Sequence, residues 1–339
     1  MPVIARAPGR VNLIGDHTDY SGGLVCPMAI DLATTVTIEP GGDRVELRSD
    51  ADPEPASIPL DVADPASVEP AWARYVAGVV AVLRPALGGR GTVTTTLPTG
   101  AGLSSSAALE VALALALGAD DHDPVALARL CQRAEHIASG VPCGIMDQLV
   151  VAAAVEGHAL MIDCATLSLT HVPIPPGVDV VVVDSGERRT LATSAYAERR
   201  AEVAGAEALI ATPLRAATDA DVTRLPPGTL RRRARHVVTE NRRVTTFAAA
   251  LTAGDLAAAG AAMTQSHASL RDDFAVSTPA LDALVARLVS APGVWGARLT
   301  GAGFGGCVIA LTEPGATADL GLPGARTVTA AGPARRISG

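Results

Sequence analysis

The chain has 339 residues, of which 48% are apolar and only 18% are charged, so it is long enough to bury the cores of two domains. All 27 basic residues are arginine, and the absence of lysine excludes Schiff-base chemistry, a Walker-type phosphate loop and the strand lysine of protein kinases. The net charge of −8 argues against sequence-independent binding to nucleic acid, which requires a cationic surface.

The cysteines and the N-terminal segment predict the compartment. The five cysteines are scattered and form no CxxC pair, so neither a disulfide framework nor a zinc site is expected. The N-terminal segment has no apolar run or cleavage pattern of a signal peptide, and longer apolar stretches end well before the roughly 20 residues of a membrane span. We therefore expect a soluble, cytoplasmic protein with neither a nucleic-acid nor a membrane partner.

The first half of the chain combines predicted strands with predicted helices. β-branched or alternating patterns predict strands over residues 3–8, 33–40, 44–49 and 91–98, and a hairpin over 158–174. Apolar residues at helical spacing predict helices over 70–87 and 123–139. A third predicted helix follows a loop rich in glycine and serine (residues 97–106), which we call the glycine–serine loop, and ends near Gly118.

A second pattern begins near residue 176. The run VDVVVVD predicts a strand that is buried on both faces, and four helical segments follow it. The chain continues with a strand–glycine loop–strand pattern from Gly293 and a short strand within 325–332. Because both halves mix strands and helices without strict alternation, we predict an α+β fold with domains at 1–175 and 176–339.

The segment Leu97–Ala107 is the most informative loop. It reads LPTGAGLSSSA and lies between a predicted strand and a predicted helix. Glycines let a backbone approach a ligand closely, and amide groups at a helix N-terminus attract anions without any lysine. The loop therefore predicts a phosphate site, and the alternative is an ordinary strand-to-helix turn with serine caps.

Three further segments carry polar or glycine-rich patterns. Residues 10–20 place an arginine, an asparagine, two aspartates, a histidine and a tyrosine close together, as a polyhydroxylated ligand requires, although a solvated turn is the alternative. Glu135 and Asp147 are carboxylates that can hold Mg²⁺ or accept a proton, although surface carboxylates are common. The loop Arg298–Cys307 is as consistent with a tight turn as with a ligand clamp.

These segments resemble, together and in order, the GHMP small-molecule kinases and, within them, the galactokinases. The resemblance rests on GRVNLIGDHTDYSGGLVCPMAI, PTGAGLSSSAALE, AEHIASGVPCGIMDQ and ARLTGAGFGGC, and it extends from Ala5 to about residue 312. It implies a two-domain α+β fold, with an N-terminal domain like domain 2 of ribosomal protein S5 and a ferredoxin-like C-terminal domain. The active site is expected between the domains.

The resemblance also implies a role for individual residues. ATP and Mg²⁺ are the implied substrate and metal, with Trp72 near the adenine, and Ser106 and Glu135 holding the metal. The implied phosphate-binding residues are Gly100, Ala101, Gly102, Leu103, Ser104, Ser105 and Ser106. Asp147 is implied as the base at the anomeric hydroxyl of a sugar, with Arg10 beside it, and the alternative is that Asp147 only orients a hydroxyl whose pKa Arg10 lowers. The implied sugar-binding residues are Asp16, His17, Thr18, Asp19, Gly144 and Tyr196, above a floor shaped by 301–306.

One position departs from the family pattern. Galactokinases usually read Gly-Glu-His-Thr-Asp-Tyr, whereas this chain has Asp16 in place of the glutamate. The resemblance implies that this carboxylate holds the sugar hydroxyl farthest from the anomeric centre. The missing methylene withdraws the carboxylate by about 1.5 Å, so that hydroxyl is reached through water or a different sugar fits. Two alternatives to galactose phosphorylation therefore stay open: a kinase for another monosaccharide, such as N-acetylgalactosamine or arabinose, and a non-catalytic sugar sensor. The intact serine run and both carboxylates favour catalysis.

Two predictions concern residues without an assigned role in that site. The run Arg231-Arg232-Arg233 is predicted to be a solvated helix face, because charge runs usually are. His236 is isolated from other candidate site residues, and a hydrogen-bonded structural histidine is expected there.

Overall fold

The computed structural model describes residues 1–98, 100–120, 122–187, 192–322 and 324–337. The strands in these ranges are β1 Val3–Ile14, β2 Leu24–Pro40, β3 Arg44–Ser49, β4 Ala56–Pro59, β5 Gly89–Thr95, β6 His158–Asp163, β7 Ser168–Pro173, β8 Asp179–Asp184, β9 Val294–Leu299, β10 Cys307–Thr312, β11 Arg326–Val328 and β12 Arg335–Ile337. The helices there are α1 Ala73–Leu83, α2 Ser105–Ala116, α3 Pro124–Ser139, α4 Met146–Ala153, α5 Ala192–Ile210, α6 Asp219–Arg224, α7 Thr229–Ala253, α8 Leu256–Asp272 and α9 Pro279–Val289.

The first sheet is built around a long antiparallel pair. β1 and β2 pair along most of their length, and the strand order is β12-β1-β2-β5-β3-β4, with the β6–β7 hairpin attached to the start of β2. Helix α2 packs on β1 and β2, and every residue from Ala107 to Ala116 is buried. Its many alanines suit this position, because small side chains let a helix pass through a core without overfilling it.

The second sheet is smaller and is antiparallel throughout. Its order is β11-β8-β10-β9, and the four consecutive valines of β8 are all buried, as the apolar run predicts. Helices α8 and α9 pack on β9, while α7 packs on α8 and reaches β1 and β2 of the first sheet. Helix α7 therefore connects the two halves of the molecule.

The end of the described chain returns to the first sheet. β12 pairs antiparallel with β1, with Ile4 opposite Ile337 and Arg6 opposite Arg335. The amide of Ala334 also donates to the carbonyl of Val151 in α4 at 2.8 Å. Residues past 330 thus pack with the first half, and the division at 175/176 stays a prediction.

The elements differ from the sequence predictions mainly in their ends. β1 and β2 extend well past 3–8 and 33–40, because their antiparallel partnership continues through a bulge at Pro8/Arg10. Helix α4 was not predicted at all, and it carries Asp147 in its first turn. No helix in the described ranges combines the length and the apolar character needed to cross a membrane.

The prediction that the arginine run in α7 is a solvated face holds for Arg232, which is exposed, but is wrong for Arg233. Arg233 is only 4% exposed, and its guanidinium bonds Glu202 at 2.7 Å and the Asp273 carbonyl at 2.6 Å. It also lies over the ring of Phe274. A buried arginine is tolerated here because its donors are paired, which a run of identical letters in the sequence does not reveal.

Candidate active site

A bidentate ion pair connects β1 to the start of α4. Arg10 Nε donates to Asp147 Oδ1 at 2.8 Å and its Nη2 to Oδ2 at 2.6 Å. The Arg10 side chain is 6% exposed and that of Asp147 is 28% exposed. Burial lowers the pKa of Arg10, but the carboxylates of Asp147, Asp16 and Asp19 together outweigh it, and the net pKa is raised above the ordinary value. Arg10 is therefore a fixed cation beside a carboxylate that a ligand can reach.

The same arginine holds the glycine–serine loop. Arg10 Nη1 donates to the carbonyl of Gly102 at 2.7 Å, and its amide donates to that of Leu103 at 3.1 Å. Ser104 occupies the N-cap position of α2 with φ 59°, and its hydroxyl donates to Asp147 Oδ2 at 2.5 Å. The loop, the cation and the carboxylate thus form one connected group at the N-terminus of a buried helix.

The first turn of α2 faces a second carboxylate. Ser106 Oγ donates to Glu135 Oε1 at 3.0 Å, near the end of α3. Gln148 Nε2 donates to Glu135 Oε2 at 2.5 Å and to Glu110 Oε2 at 3.2 Å. Burial, followed by the charge of Asp147, raises the pKa of Glu135, and burial, followed by the charge of Glu135, raises that of Glu110. Glu135 is thus a half-buried carboxylate that forms no salt bridge in the described part of the chain.

These residues fit a magnesium ion that also binds a nucleotide. Mg²⁺ prefers oxygen ligands and is usually held by one or two protein groups together with substrate phosphates. Ser106 and Glu135 offer a hydroxyl and a carboxylate side by side, at the helix end where phosphates are expected. Within the described ranges no group of three or more His, Cys, Asp or Glu side chains could hold a metal alone.

The turn after β1 is fixed by its backbone. Gly15 has φ +99°, and a Cβ there would lie 2.7 Å from the carbonyl of Leu24 and from Val25 Cα. His17 also has a left-handed backbone (φ 65°), which is uncommon for a non-glycine residue and often marks a functional site. Thr18 Oγ1 bridges the carbonyls of Gly15 at 2.8 Å and Leu24 at 2.7 Å.

Asp19 is the carboxylate of this turn that is open to a ligand. It lies against Gly144, where a Cβ would collide with the Asp19 carboxylate. No cation among the described residues pairs with it by a salt bridge. Burial, followed by the charge of Asp147, raises the pKa of Asp19 to about 7. A cavity of about 470 Å³ opens beside Asp19 and Gly144.

Aromatic rings form one wall near this turn. The ring of His17 lies 5.6 Å from Tyr196 of α5 and 4.7 Å from Phe274, between ring centroids. His17 Nδ1 lies 3.1 Å from the Tyr20 hydroxyl, and its Nε2 lies 3.1 Å from the carbonyl of Ala302. The structure thus brings the predicted residues His17 and Tyr196 together across the two halves of the chain.

Asp16 points away from the cavity into the junction of the two halves. Its Oδ2 accepts from Arg298 Nη2 at 2.6 Å, and its Oδ1 accepts from the amide of Gly301 at 3.0 Å. The Asp16 side chain is 2% exposed and that of Arg298 is 0% exposed. His236 Nε2 donates to the Asp16 carbonyl at 3.1 Å, and burial lowers the pKa of His236 to about 4, so this histidine is neutral and structural, as predicted.

Several supporting residues were missed by the sequence reasoning. Arg298 and Gln148 lie in motifs that were recognised, but neither received a role. In α7, Glu240 accepts from the Gly15 amide at 3.1 Å and Asn241 from the Leu24 amide at 2.7 Å. The polar segment TENRR (residues 239–243) lies within a predicted helix and could have indicated these contacts, because charged residues are rarely buried unless they are paired.

Trp72 lies at the start of α1, apart from these groups. Its indole donates to the carbonyl of Glu54 at 3.0 Å, and its ring packs on the core of the first half. Its role near an adenine stays a prediction.

Comparison with known families identifies the class of protein. Residues 74–157 match the GHMP kinases N terminal domain, and residues 247–322 match the GHMP kinases C terminal domain. A mevalonate kinase from Methanococcus jannaschii shares the fold, with a TM-score of 0.72 at 20% identity over 97% of this chain and 98% of that one. The chain has the two-domain GHMP kinase fold, as the resemblance implied.

Within this class the matches are more specific. Residues 1–40 match the galactokinase galactose-binding signature. The chain is 47% identical to a galactokinase of Roseiflexus sp. (strain RS-1), over 92% of this chain and 83% of the relative, and 44% identical to that of Homo sapiens, over 91% and 83%. A galactokinase of Lactococcus lactis, solved in complex with galactose, superimposes with a TM-score of 0.92 at 31% identity, over 99% of this chain and 95% of that one. The chain belongs to the galactokinase family.

Proposed function

We propose that the protein transfers the γ-phosphoryl group of ATP to the anomeric hydroxyl of galactose, giving galactose 1-phosphate and ADP. The observation that carries this proposal is the double engagement of Asp147. Its carboxylate binds Arg10 on one side and the Ser104 hydroxyl of the glycine–serine loop on the other. A proton acceptor and a phosphate-binding loop therefore share one point in space, as in-line transfer to a hydroxyl requires.

The chemistry follows from these neighbours. Asp147 accepts the proton of the anomeric hydroxyl as its oxygen forms a bond to the γ-phosphorus, and the bond from that phosphorus to the β–γ bridging oxygen breaks to release ADP. Arg10 is a fixed cation within reach of the developing charge, which preorganised charges stabilise without reorganisation. The amides at the start of α2 and the loop residues 100–106 hold the phosphates.

The remaining predicted residues supply binding. Asp19, beside Gly144, accepts hydrogen bonds from sugar hydroxyls, because its carboxylate forms no salt bridge with a cation in the described ranges. Ser106 and Glu135 would hold Mg²⁺, which when bound neutralises phosphate charge. His17, Thr18 and Tyr196 shape the sugar pocket, and Trp72 is proposed to stack near the adenine.

A sugar panel tests the proposal. ADP formation is followed with the purified full chain, ATP, Mg²⁺ and each of galactose, glucose, N-acetylgalactosamine and arabinose. Phosphorus NMR of the product then reports whether the phosphate is on the anomeric oxygen. We expect galactose to be phosphorylated at that position. A 6-phosphate product would refute the role given to Asp147.

The sensor alternative gives a different result in the same assay. A sensor binds galactose without turning it over, so calorimetry would detect sugar binding while no ADP forms. Preferential turnover of N-acetylgalactosamine would instead assign the chain to another sugar within the same chemistry.

A further inference from the structure

The position of Asp16 separates it from the other carboxylates around the pocket. Asp147 is 28% exposed, whereas Asp16 is 2% exposed and both of its oxygens are bonded. A sugar hydroxyl is about the size of a water molecule. A carboxylate that water barely touches is therefore also out of reach of a hydroxyl unless its present bonds break.

The partners of Asp16 make those bonds costly to break. Arg298 is fully buried, and Asp16 is its ion-pair partner, so releasing the carboxylate leaves a buried guanidinium charge uncompensated. Arg298 also donates to the carbonyl of Asn12 at 3.0 Å, and Thr300 exchanges two hydrogen bonds with the backbone of Asn12. The pair thus belongs to a buried polar connection between the end of β1 and the end of β9.

The length of the side chain explains why the carboxylate stays in this connection. An aspartate carboxylate is about 1.5 Å closer to its backbone than that of a glutamate at the same position. The backbone here is fixed by Gly15 and by the His236 bond to the Asp16 carbonyl, so it is not free to advance toward the pocket.

We propose that Asp16 is a positioning residue that ties the sugar-binding turn to β9 and makes no bond to the sugar. This inference rests on the proposed function and names its substrate class more closely. The hydroxyl farthest from the anomeric carbon, which the resemblance to galactokinases assigns to the carboxylate at this position, is then not bound by Asp16. The enzyme accepts sugars of the galactose configuration with or without their 6-hydroxyl group.

Two substrates and one substitution test this. The values of kcat/KM are measured for D-galactose and for 6-deoxy-D-galactose, which lacks only that hydroxyl, with the full-length wild type and with Asp16→Asn. A bond from a charged carboxylate to the hydroxyl would make the wild type prefer galactose by roughly 10–150-fold. We expect a preference below about tenfold, and Asp16→Asn lowering kcat/KM for both sugars by the same factor through KM.

The opposite pattern would overturn the proposal. If Asp16 bound the hydroxyl, Asp16→Asn would reduce turnover of galactose selectively and bring the two sugars to similar values. Asp219→Asn is the matched control, because Asp219 forms an exposed ion pair with Arg242 at 2.7 Å on the surface. It should leave both sugars unaffected.

Two further measurements keep the outcomes separate. If Asp16→Asn does not fold, the wild-type preference decides alone, and Arg298→Lys, which keeps the charge, should preserve that preference. If the folded wild type phosphorylates neither sugar, the proposed function fails. Calorimetric affinities for the two sugars then still decide the role of Asp16, with equal values supporting it and a galactose preference above tenfold refuting it.

Discussion

Two glycine-rich loops of similar composition differ in whether their backbone is packed against the rest of the molecule. The first, residues 97–104, precedes α2, and the second, residues 300–306, joins β9 to β10. Gly100 and Gly303 share the same left-handed backbone, with φ +76°. Around Gly100 there is open space where a side chain would stand, whereas a Cβ at Gly303 would collide with the carbonyl of Val276.

Their backbone hydrogen bonds explain the difference. In the second loop, the amides of Gly301, Phe304 and Gly306 donate to Asp16, Val276 and Glu187. In the first loop, Arg10 binds the carbonyls of Gly102 and Leu103 and so fixes the loop from its carbonyl side. Composition therefore does not distinguish a ligand loop from a packed turn, but the partners of the backbone groups do.

The largest expected effect concerns Asp147, whose carboxylate accepts a hydrogen bond from Ser104 of the first loop. Asp147→Asn keeps the size of the side chain but removes the proton acceptor, so we expect kcat to fall about 10²–10⁴-fold. Calorimetry should show sugar and ATP binding within a few-fold of wild type. Near-normal turnover would refute the base assignment, and Asp219→Asn again serves as the control.

The two glycines themselves give the next effect. Gly303→Ala combines left-handed strain with overpacking, and we expect a loss of about 2–5 kcal/mol in the free energy of unfolding. Gly100→Ala introduces only the left-handed strain, so we expect a loss of about 1–2 kcal/mol in the free energy of unfolding, together with a higher KM for ATP. Chemical denaturation and steady-state kinetics measure both. Equal destabilisation by the two substitutions would contradict the contrast between the loops.

The pH dependence tests the open sugar-binding carboxylate. The pKa of Asp19 is about 7. Because the ionised form accepts hydroxyl bonds more strongly, kcat/KM for the sugar should fall as the pH drops below 7, approaching tenfold per pH unit. Asp19→Asn should lower kcat/KM and abolish this inflection. An unchanged inflection in the variant would assign it to another group.

The same shift has a consequence for stability. The folded pKa lies above the ordinary value of 3.8, so the contribution of Asp19 is most favourable below about pH 4 and is lost as the pH rises to about 7. We therefore expect Asp19→Asn to melt at a higher temperature than wild type at pH 8. Thermal denaturation at pH 5 and pH 8 measures the difference, which should be smaller at pH 5.

The smallest effect concerns the metal side of the first loop. Ser106→Ala removes one neutral donor to Glu135, so the Mg²⁺ concentration for half-maximal activity should rise about 2–10-fold. Calorimetry of Mg²⁺ with ADP gives an independent readout. The exposed Ser67→Ala is the control, and an unchanged Mg²⁺ requirement in Ser106→Ala would remove Ser106 from the proposed metal site.

The sequence predicted the elements well where local patterns are strong. The strand over 44–49 and the helix capped by Asp123 lie where they were expected, and the resemblance gave the correct family and fold. Helix α4 was missed because it has eight residues and follows a glycine turn, so its apolar run was too short to show helical periodicity.

Long-range polar contacts were beyond the sequence. The Asp16–Arg298 pair joins residues 282 positions apart, and the sequence around either residue gives no indication of its partner. The burial of Arg233 likewise depends on Glu202 from another helix. Pairs of this kind are set by tertiary packing, so the residue list of a site is easier to predict than the direction in which each side chain points.

The return of β12 to β1 has a consequence for how the protein is made. Its pairing closes a loop of more than 300 residues, and Arg336 adds bonds to the Leu115 carbonyl and to Asp120. Closing such a loop is entropically slow and comes late in folding. During synthesis, the first sheet therefore has an uncovered edge at β1 until residues 335–337 leave the ribosome. The first sheet is thus completed only after the second half of the chain has been synthesised.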